Sequence, residues 1–318
     1  MNTSKNRQLY FYWLAAVILA LCGIIAGSFS DLRISEFLYH PNVSWAVLFA
    51  YLGPLPLYVN LAAAGYMMKN ALFHNPSSDI QPKQKWSWKE VLFTAIWDVI
   101  LVLLIDAGQV HLSHSHMNGM VWLVLILSVI FGFLFSLSMR KSDAEQQLRM
   151  ALFLILSAAL CMASVSLIKK IWQRPRFIAL QILNPIEGEY APDAFRNWWQ
   201  ISWPSMASDQ ILGLKTLDSD LLLSFVSGHT ASAACCFGCL GACLYQKDFR
   251  KRSAILFAVC LVWTLMTAFS RIVLGKHFLS DVSGGMLVSV LSIMICWKLT
   301  SLPKFQNLLS GIVKRSEL

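Results

Sequence analysis

Long apolar segments, separated by short polar ones, make up most of this chain. Eight of them approach the ~20 residues that a helix needs to cross the hydrocarbon core of a bilayer. They lie at residues 10–29, 44–68, 91–112, 117–138, 149–168, 228–246, 254–274 and 278–300. The pattern predicts an all-α fold, a polytopic transmembrane bundle of about eight helices. The first segment is longer than the roughly 7–15 apolar residues of a signal peptide, which favours a retained span.

Residues 91–138 allow two interpretations, two spans or one span with a re-entrant segment. The stretch 106–118 is too polar to lie in lipid, which favours two spans. Its histidines are His111, His114 and His116. They could hold a metal ion, but we interpret them as part of a polar outer loop and predict no metal site. Asp98, inside the third span, should face the bundle or water.

The basic residues indicate an orientation. Only 14% of the residues are charged, against roughly 25% in soluble domains. If the N-terminus is cytoplasmic, 17 of the 26 Lys and Arg residues fall in the inside segments, as the positive-inside rule requires. The net charge of +9 then reflects topology. It predicts contact with membrane lipids and gives no reason to expect nucleic acid as a partner.

All eight cysteines fall within predicted spans. Cys236 and Cys239 have the CxxC spacing, which can indicate a redox or metal site. On an apolar helix we interpret them instead as small residues that let helices pack closely. In the long outer segment, Trp198, Trp199 and Trp203 are either interfacial anchors or a cover over a lipid substrate.

Three polar clusters interrupt the apolar pattern, and the predicted topology places all of them at the outer face. They are Lys169 and Arg176 after the fifth span, Ser227, Gly228 and His229 at the start of the sixth, and Arg271, His277 and Asp281 between the seventh and eighth. Cations, two imidazoles, a hydroxyl and one carboxylate at one membrane face suit phosphoryl transfer, because fixed cations neutralise phosphate oxygens.

The spacing within the clusters predicts individual roles. His277 and Asp281 are four residues apart at the start of a helix, so the carboxylate can accept the Nδ1 proton and leave Nε2 as a nucleophile. His229 can protonate the leaving oxygen. The predicted phosphate-binding residues are Lys169, Arg176, Ser227, Gly228 and Arg271.

These clusters resemble the signature motifs of the type 2 phosphatidic acid phosphatase (PAP2) superfamily, K-x6-RP, PSGH and SR-x5-H-x3-D. The matching sequences are Lys169-x6-Arg176-Phe177, Val226-Ser227-Gly228-His229 and Ser270-Arg271-x5-His277-x3-Asp281. The resemblance covers about residues 169–285 and implies a cofactor-free phosphatase that works through a phosphohistidine on His277. It also implies that Asp281 orients His277, that His229 is the general acid, and that the other five residues bind phosphate.

The chain departs from the family pattern at two positions. Phe177 and Val226 stand where the first and second motifs have proline. Neither proline takes part in the chemistry, so the departures bear on loop shape more than on activity. Arg174-Pro175 is an alternative RP pair, but the residue seven positions before Arg174 is Leu167, so we align Lys169 with Arg176.

The resulting organisation has N-terminal helices at 1–168, a PAP2-like catalytic region at 169–300 with a long outer segment at 177–226, and a cytoplasmic tail at 301–318. We expect a multi-pass protein of a bacterial-type inner membrane, with both termini cytoplasmic and the site facing the periplasm. The expected activity is hydrolysis of a lipid phosphomonoester or pyrophosphate. Transfer of the phosphoryl group to another acceptor and non-catalytic transport of phosphate-bearing lipids are the alternatives, and the sequence leaves the oligomeric state open.

Overall fold

The computed structural model describes residues 3–73, 87–113, 119–183, 194–201, 216 and 218–316. The helices are α1 Thr3–Leu38, α2 Ser44–Leu52, α3 Leu55–Phe73, α4 Trp88–Ser113, α5 Gly119–Ser138, α6 Ala144–Trp172, α7 Phe177–Ile182, α8 Gly228–Ala234, α9 Lys247–Lys251, α10 Ser253–Val273, α11 Leu279–Thr300 and α12 Pro303–Ser316. Two 3₁₀ segments, Ser219–Leu222 and Cys235–Leu244, complete the described elements. No strand occurs in these ranges, and the predicted all-α fold is confirmed.

Seven stretches are long and apolar enough to cross a membrane. They are Arg7–Leu38, Ser44–Phe73, Trp88–Gly108, Gly119–Ser138, Ala144–Ile182, Ser253–Val273 and Leu279–Thr300. The prediction of a polytopic helical bundle is confirmed. Helices α4 and α5 are separate, as the two-span interpretation of residues 91–138 predicts. Both His114 and His116 lie outside the described residues, as does the side chain of His111.

The sixth predicted span differs from the other seven. It is a shorter apolar helix, Gly228–Leu244, in which one α-helical stretch continues as a 3₁₀ helix from Cys235. A 3₁₀ helix rises about 2.0 Å per residue against 1.5 Å for an α-helix. The combined segment therefore extends about 30 Å, close to the hydrocarbon thickness of a bilayer, with fewer residues than the sequence pattern requires.

Side chains from neighbouring helices satisfy the backbone of this 3₁₀ segment. Asn60 of α3 donates its amide Nδ2 to the carbonyl of Cys235 at 2.7 Å. The indole of Trp13 in α1 donates to the carbonyl of Phe237 at 3.0 Å. These two side-chain hydrogen bonds add to those within the 3₁₀ helix and join the segment to α1 and α3 at buried positions.

The eight cysteines are all free thiols. Cys236 donates to the carbonyl of Cys260, and Cys260 donates to the carbonyl of Cys236, at 3.5 and 3.4 Å. This pair joins the 3₁₀ segment to α10. The close packing expected of small residues in predicted spans is present at these two positions.

Long helices surround the central segment. Helix α1 packs along α11, α3 packs on α5 and α6, and α10 packs on α2 and α8. Trp13, Phe153 and Trp297 are buried where α1, α6 and α11 meet. The tail helix α12 buries Leu309 against Leu148 of α6 and so returns to the bundle.

Helix α4 lies at the periphery and presents most of its apolar side chains outward. Asp98 on this helix is half-buried and interacts electrostatically with Lys69 of α3. The carboxylate therefore faces the bundle, as expected for a charged group within a span.

The described parts of the outer segment 177–226 pack on the bundle. Trp198 donates its indole N–H to Ser28 of α1 at 2.8 Å and stacks on Phe225. These contacts hold Trp198 against the bundle, and the interpretation of the tryptophans as interfacial anchors or as a cover over substrate stays a prediction. Trp199 is about half exposed, and Trp203 lies outside the described residues.

Replacing Asn60 with leucine should destabilise the bundle. The carbonyl of Cys235 would lose its hydrogen bond from the Asn60 amide at a buried position, which costs about 1 kcal/mol. The melting temperature of the detergent-solubilised protein should therefore fall. The control is Thr94→Val, because that hydroxyl bonds only within its own helix, to the carbonyl of Glu90. Equal melting temperatures for the two variants would contradict the role of Asn60.

Candidate active site

A cavity of about 460 Å³ opens at one end of the bundle, where α6, α8 and α10 meet the turns that follow them. Its polar lining residues are Tyr58, Ser166, Lys169, Arg176, Asp220, His229, Ser232, Arg271 and Lys276. Five of the eight predicted site residues line this cavity: Lys169, Arg176, Gly228, His229 and Arg271. The structure thus brings residues of all three polar clusters to one cavity, although Ser227, His277 and Asp281 are not among its lining residues.

The first cluster is shaped by a sharp turn at the end of α6. Lys169 lies in the last turn of that helix, and Gln173 caps it in the left-handed conformation, with φ of 45°. The chain then reverses through Pro175, and Arg176 is the residue before α7. Arg176 donates to the carboxylate of Asp220 at 2.6 Å and to the Asp220 carbonyl at 2.7 Å. This guanidinium is therefore fixed beside the cavity.

The second cluster begins the central helix. Ser227 is buried and caps α8, accepting from the backbone N–H and the hydroxyl of Thr230 at 3.4 and 3.1 Å. Its hydroxyl is therefore the N-cap of α8, and Ser227 does not line the cavity. Gly228 and His229 do line it, and Nε2 of His229 is buried without a hydrogen-bond partner among the described residues.

The third cluster depends on a tight turn after α10. Gly275 has φ of +65°, and a Cβ there would lie 2.6 Å from the ring of Tyr39. The turn folds back so that the backbone N–H groups of Lys276 and His277 both donate to the carbonyl of Arg271. Arg271 is buried, and within the described part of the chain its Nε and Nη1 have no hydrogen-bond partner.

His277 is buried next to this turn and makes one hydrogen bond through its ring. Nδ1 lies 2.7 Å from the carbonyl oxygen of Ser224. A carbonyl can only accept, so Nδ1 carries the proton and Nε2 of the neutral ring keeps its lone pair. This is the tautomer that a nucleophilic Nε2 requires.

The structure differs from the sequence-based expectation in how this tautomer is held. Nδ1 of His277 lies 3.9 Å from Oδ2 of Asp281, which is too far for a hydrogen bond. The carboxylate instead accepts from the hydroxyl of Ser224 at 2.5 Å and from the backbone N–H of Phe278 at 2.7 Å. Asp281 is therefore linked to His277 through Ser224. The Ser224 hydroxyl donates to the Asp281 carboxylate, and the Ser224 carbonyl accepts from the His277 ring.

Arg174 anchors Asp281 from the other side. Nη1 of this fully buried guanidinium donates to Oδ1 of Asp281 at 2.5 Å, and Nη2 donates to Asp31 of α1 at 2.9 Å. Asp31 also binds Ser280, accepting from its backbone N–H at 2.9 Å and from its hydroxyl. The guanidinium lies over the ring of Phe278, with 4.3 Å from Cζ to the ring centroid.

Sequence reasoning missed three members of this network: Asp31, Ser224 and Arg174. The first lies just beyond the end of the first predicted span, with no motif around it. The second is a lone serine upstream of the second cluster. The third was considered only as an alternative alignment, although an arginine next to a proline just outside a span is a signal for a fixed cation.

The cations around the cavity lower the pKa values of two groups that lie outside the spans, His277 and Lys276. Burial, followed by Arg176, Lys169, Arg271 and His229, lowers the pKa of His277 well below its ordinary value of 6.5. Burial, Arg176 and Arg271 also lower the pKa of Lys276. His277 is therefore neutral at neutral pH, and the cavity carries an excess of positive charge suited to an anion.

Comparison with known proteins identifies one family. The family model described as the PAP2 superfamily matches residues 150–303. This range contains all three clusters, and the predicted resemblance is confirmed over it. No curated protein and no solved structure matches the chain. Within the described residues, no three His, Cys, Asp or Glu side chains are grouped so that they could hold a metal ion.

Replacing Asp31 with asparagine should lower the stability of the protein. Arg174 would keep its full charge at a buried position beside one carboxylate instead of two, and breaking such a pair costs about 3 kcal/mol or more. Thermal unfolding in detergent should show a lower melting temperature. Asp143→Asn makes the same substitution at an exposed position and should change the melting temperature little, because asparagine can still accept from the Gln146 amide. Similar shifts in both variants would argue against a buried network at Asp31.

Proposed function

Since residues 150–303 belong to the PAP2 superfamily, we propose that this protein is an integral-membrane phosphatase that hydrolyses a lipid phosphomonoester or pyrophosphate through a phosphohistidine. The observation that carries the proposal is the cavity itself. Lys169, Arg176 and Arg271 surround it, and buried nitrogens of Arg271 and His229 have no partner in the described part of the chain. A phosphate group satisfies these donors and offsets the charge at the same time.

In the first step, Nε2 of His277 attacks phosphorus with its lone pair. A P–N bond forms and the P–O bond to the lipid breaks. His229 gives a proton to the departing oxygen, so the lipid leaves as an alcohol, or as a monophosphate when the substrate is a pyrophosphate. The negative phosphate beside His229 favours the protonated ring that this step needs.

In the second step, water attacks the phosphohistidine. His229 takes a proton from the water, the P–N bond breaks, and inorganic phosphate is released with His277 neutral again. Guanidinium and ammonium groups stabilise the charge on the transferred phosphoryl group in both steps. Gly228 lets the backbone approach the phosphate, and Ser227 holds the start of α8 so that Gly228 and His229 face the cavity.

Asp281 has a positioning role in this mechanism. Its carboxylate holds the hydroxyl of Ser224, and the carbonyl of the same residue fixes the Nδ1 proton of His277. The positive charge that develops on the ring during attack is stabilised by a carboxylate 3.9 Å away.

The substrate is proposed to be a membrane lipid because the cavity lies among helices long and apolar enough to cross a bilayer, and because Leu57, Met162 and Val165 contribute an apolar side to it. Undecaprenyl pyrophosphate, phosphatidylglycerol phosphate, phosphatidate and lipid A phosphates carry the required chemistry. The proposed location is a bacterial-type inner membrane. The distribution of basic residues supports an orientation with the site facing the periplasm and both termini in the cytoplasm.

The rate of phosphate release should fall roughly a thousandfold or more in the His277→Ala variant, because no other group replaces the nucleophile. The assay offers these four lipid phosphates to the detergent-purified protein with EDTA present, and the wild-type enzyme should release phosphate from at least one. His40→Ala, at an exposed histidine outside the cavity, is the control and should retain activity.

Other outcomes of this assay would overturn the proposal. Release that survives His277→Ala would exclude the phosphohistidine. Movement of the phosphoryl group to an added lipid alcohol in preference to water would identify a phosphotransferase. Lipid phosphate transport that survives the same substitution would identify a transporter.

The pH profile tests the electrostatics around His277. Protonation of Nε2 blocks attack, and the lowered pKa keeps the ring neutral as the pH falls through 6.5. The acid limb of kcat/KM should therefore lie at lower pH than for an ordinary histidine. Lys169→Gln removes one of the cations that lower this pKa, so the limb should move to higher pH, whatever the loss in rate.

The comparison uses one substrate, so its own ionisation is the same in both enzymes. An acid limb that stays in place or moves to lower pH in Lys169→Gln would contradict the electrostatic account.

A further inference from the structure

A second cavity, of about 420 Å³, lies between α3, α4 and α6. Its lining is almost entirely apolar and includes Leu61, Leu101, Leu104 and Ala158. Its volume is within the roughly 300–1,000 Å³ of ligand-binding sites. We call it the α4 groove. Helix α4 lies outside residues 150–303, the part of the chain that matches the family model.

The α4 groove adjoins the cavity that holds the cations. Leu57, Tyr58, Gly108 and Met162 line both. A Cβ at position 108 would lie 2.1 Å from the hydroxyl of Tyr58, so glycine is what allows the tyrosine to occupy this junction. On one side of the junction the surface is cationic, and on the other side it is hydrocarbon.

The dimensions of the groove fit a lipid chain. Its lining on α4 runs from Gly108 back to Trp97, which is about 16 Å along a helix. One leaflet of the hydrocarbon core is about 15 Å thick. Trp97 donates its indole N–H to the carbonyl of Leu61 and bridges α4 and α3 at the end far from the cations.

The groove is also open on the side that faces lipid. Ile100 and Leu104 line it and are 42% and 46% exposed, so a chain can enter sideways from the bilayer. The polar end and the apolar end together have the charge and shape of one amphiphile whose phosphate is the charged part.

We propose that the α4 groove binds the hydrocarbon chain of the lipid phosphate whose headgroup occupies the cationic cavity. The inference rests on the proposed function and names the second half of the substrate site. It assigns specificity for long-chain lipid phosphates to a helix outside the family-matched region, with Tyr58 and Gly108 at the boundary between headgroup and chain.

A third cavity, of about 310 Å³, lies between α1, α10 and α11 and is also apolar. It shares no lining residue with the cationic cavity. A chain bound there would not adjoin the cavity proposed to hold the phosphate, so the shared lining residues favour the α4 groove.

The first test compares two neighbouring residues on α4. Leu104 lines the groove, whereas Leu103 is 62% exposed and does not. Leu104→Trp should fill part of the groove and lower kcat/KM for a long-chain alkyl phosphate relative to a short-chain, water-soluble one by roughly tenfold, because fewer methylene groups are buried. Leu103→Trp should leave this ratio unchanged. Equal ratios in wild type and Leu104→Trp would overturn the groove proposal while leaving the phosphatase intact.

The second test does not depend on turnover. A long-chain alkylphosphonate with a diazirine in its chain is crosslinked to the wild-type protein, and the crosslinks are mapped by mass spectrometry with and without excess unlabelled alkyl phosphate. Competed crosslinks should fall on Leu104, Ala158 and their neighbours. Competed crosslinks on the cavity between α1, α10 and α11, or none that compete, would overturn the proposal. Competed crosslinks in the α4 groove without phosphate release from any lipid would contradict the proposed phosphatase activity and support lipid binding in the groove.

Discussion

The position of one buried guanidinium, that of Arg174, determines the arrangement of the candidate active site. A charge this deep in a protein is tolerated only when it is paired and hydrogen-bonded. Here two carboxylates, from Asp31 and Asp281, balance it. The three side chains come from α1, from the turn after α6 and from the start of α11, so one electrostatic requirement holds three segments at a fixed distance from each other. Asp281, fixed in this way, in turn holds Ser224 and through it the ring of His277.

The arginines of the site thereby differ in how far the protein itself satisfies their hydrogen-bond donors. Arg174 is saturated by protein partners and lies away from the cavity. Arg271 faces the cavity with donors that no described residue satisfies. Arg176 is intermediate, since Asp220 holds it beside the cavity. Two arginines separated by a single proline thus serve different purposes, and only their surroundings distinguish them.

The sequence predicted the helices well because an apolar run of about 20 residues has few other solutions in lipid. It did not show the change from α to 3₁₀ geometry at Cys235, because composition does not distinguish the two kinds of helix. The convergence of the clusters on one face followed from alternating topology, and five of the eight residues do share a cavity. The partners of Asp281 could not be predicted, since Asp31 and Ser224 are brought to it by tertiary packing and no local spacing relates them.

The pairing of Asp31 with Arg174 has a consequence for how this protein can vary between species. The first helix is an ordinary apolar span along most of its length, where one apolar residue can replace another. At position 31 it supplies the second carboxylate of Arg174, beside Asp281 of the family-matched region. Exchange of the N-terminal helices with those of another protein therefore has to preserve an acidic residue at this depth, or else replace Arg174 at the same time. The two positions should change together, which links a helix outside the recognised region to the candidate active site.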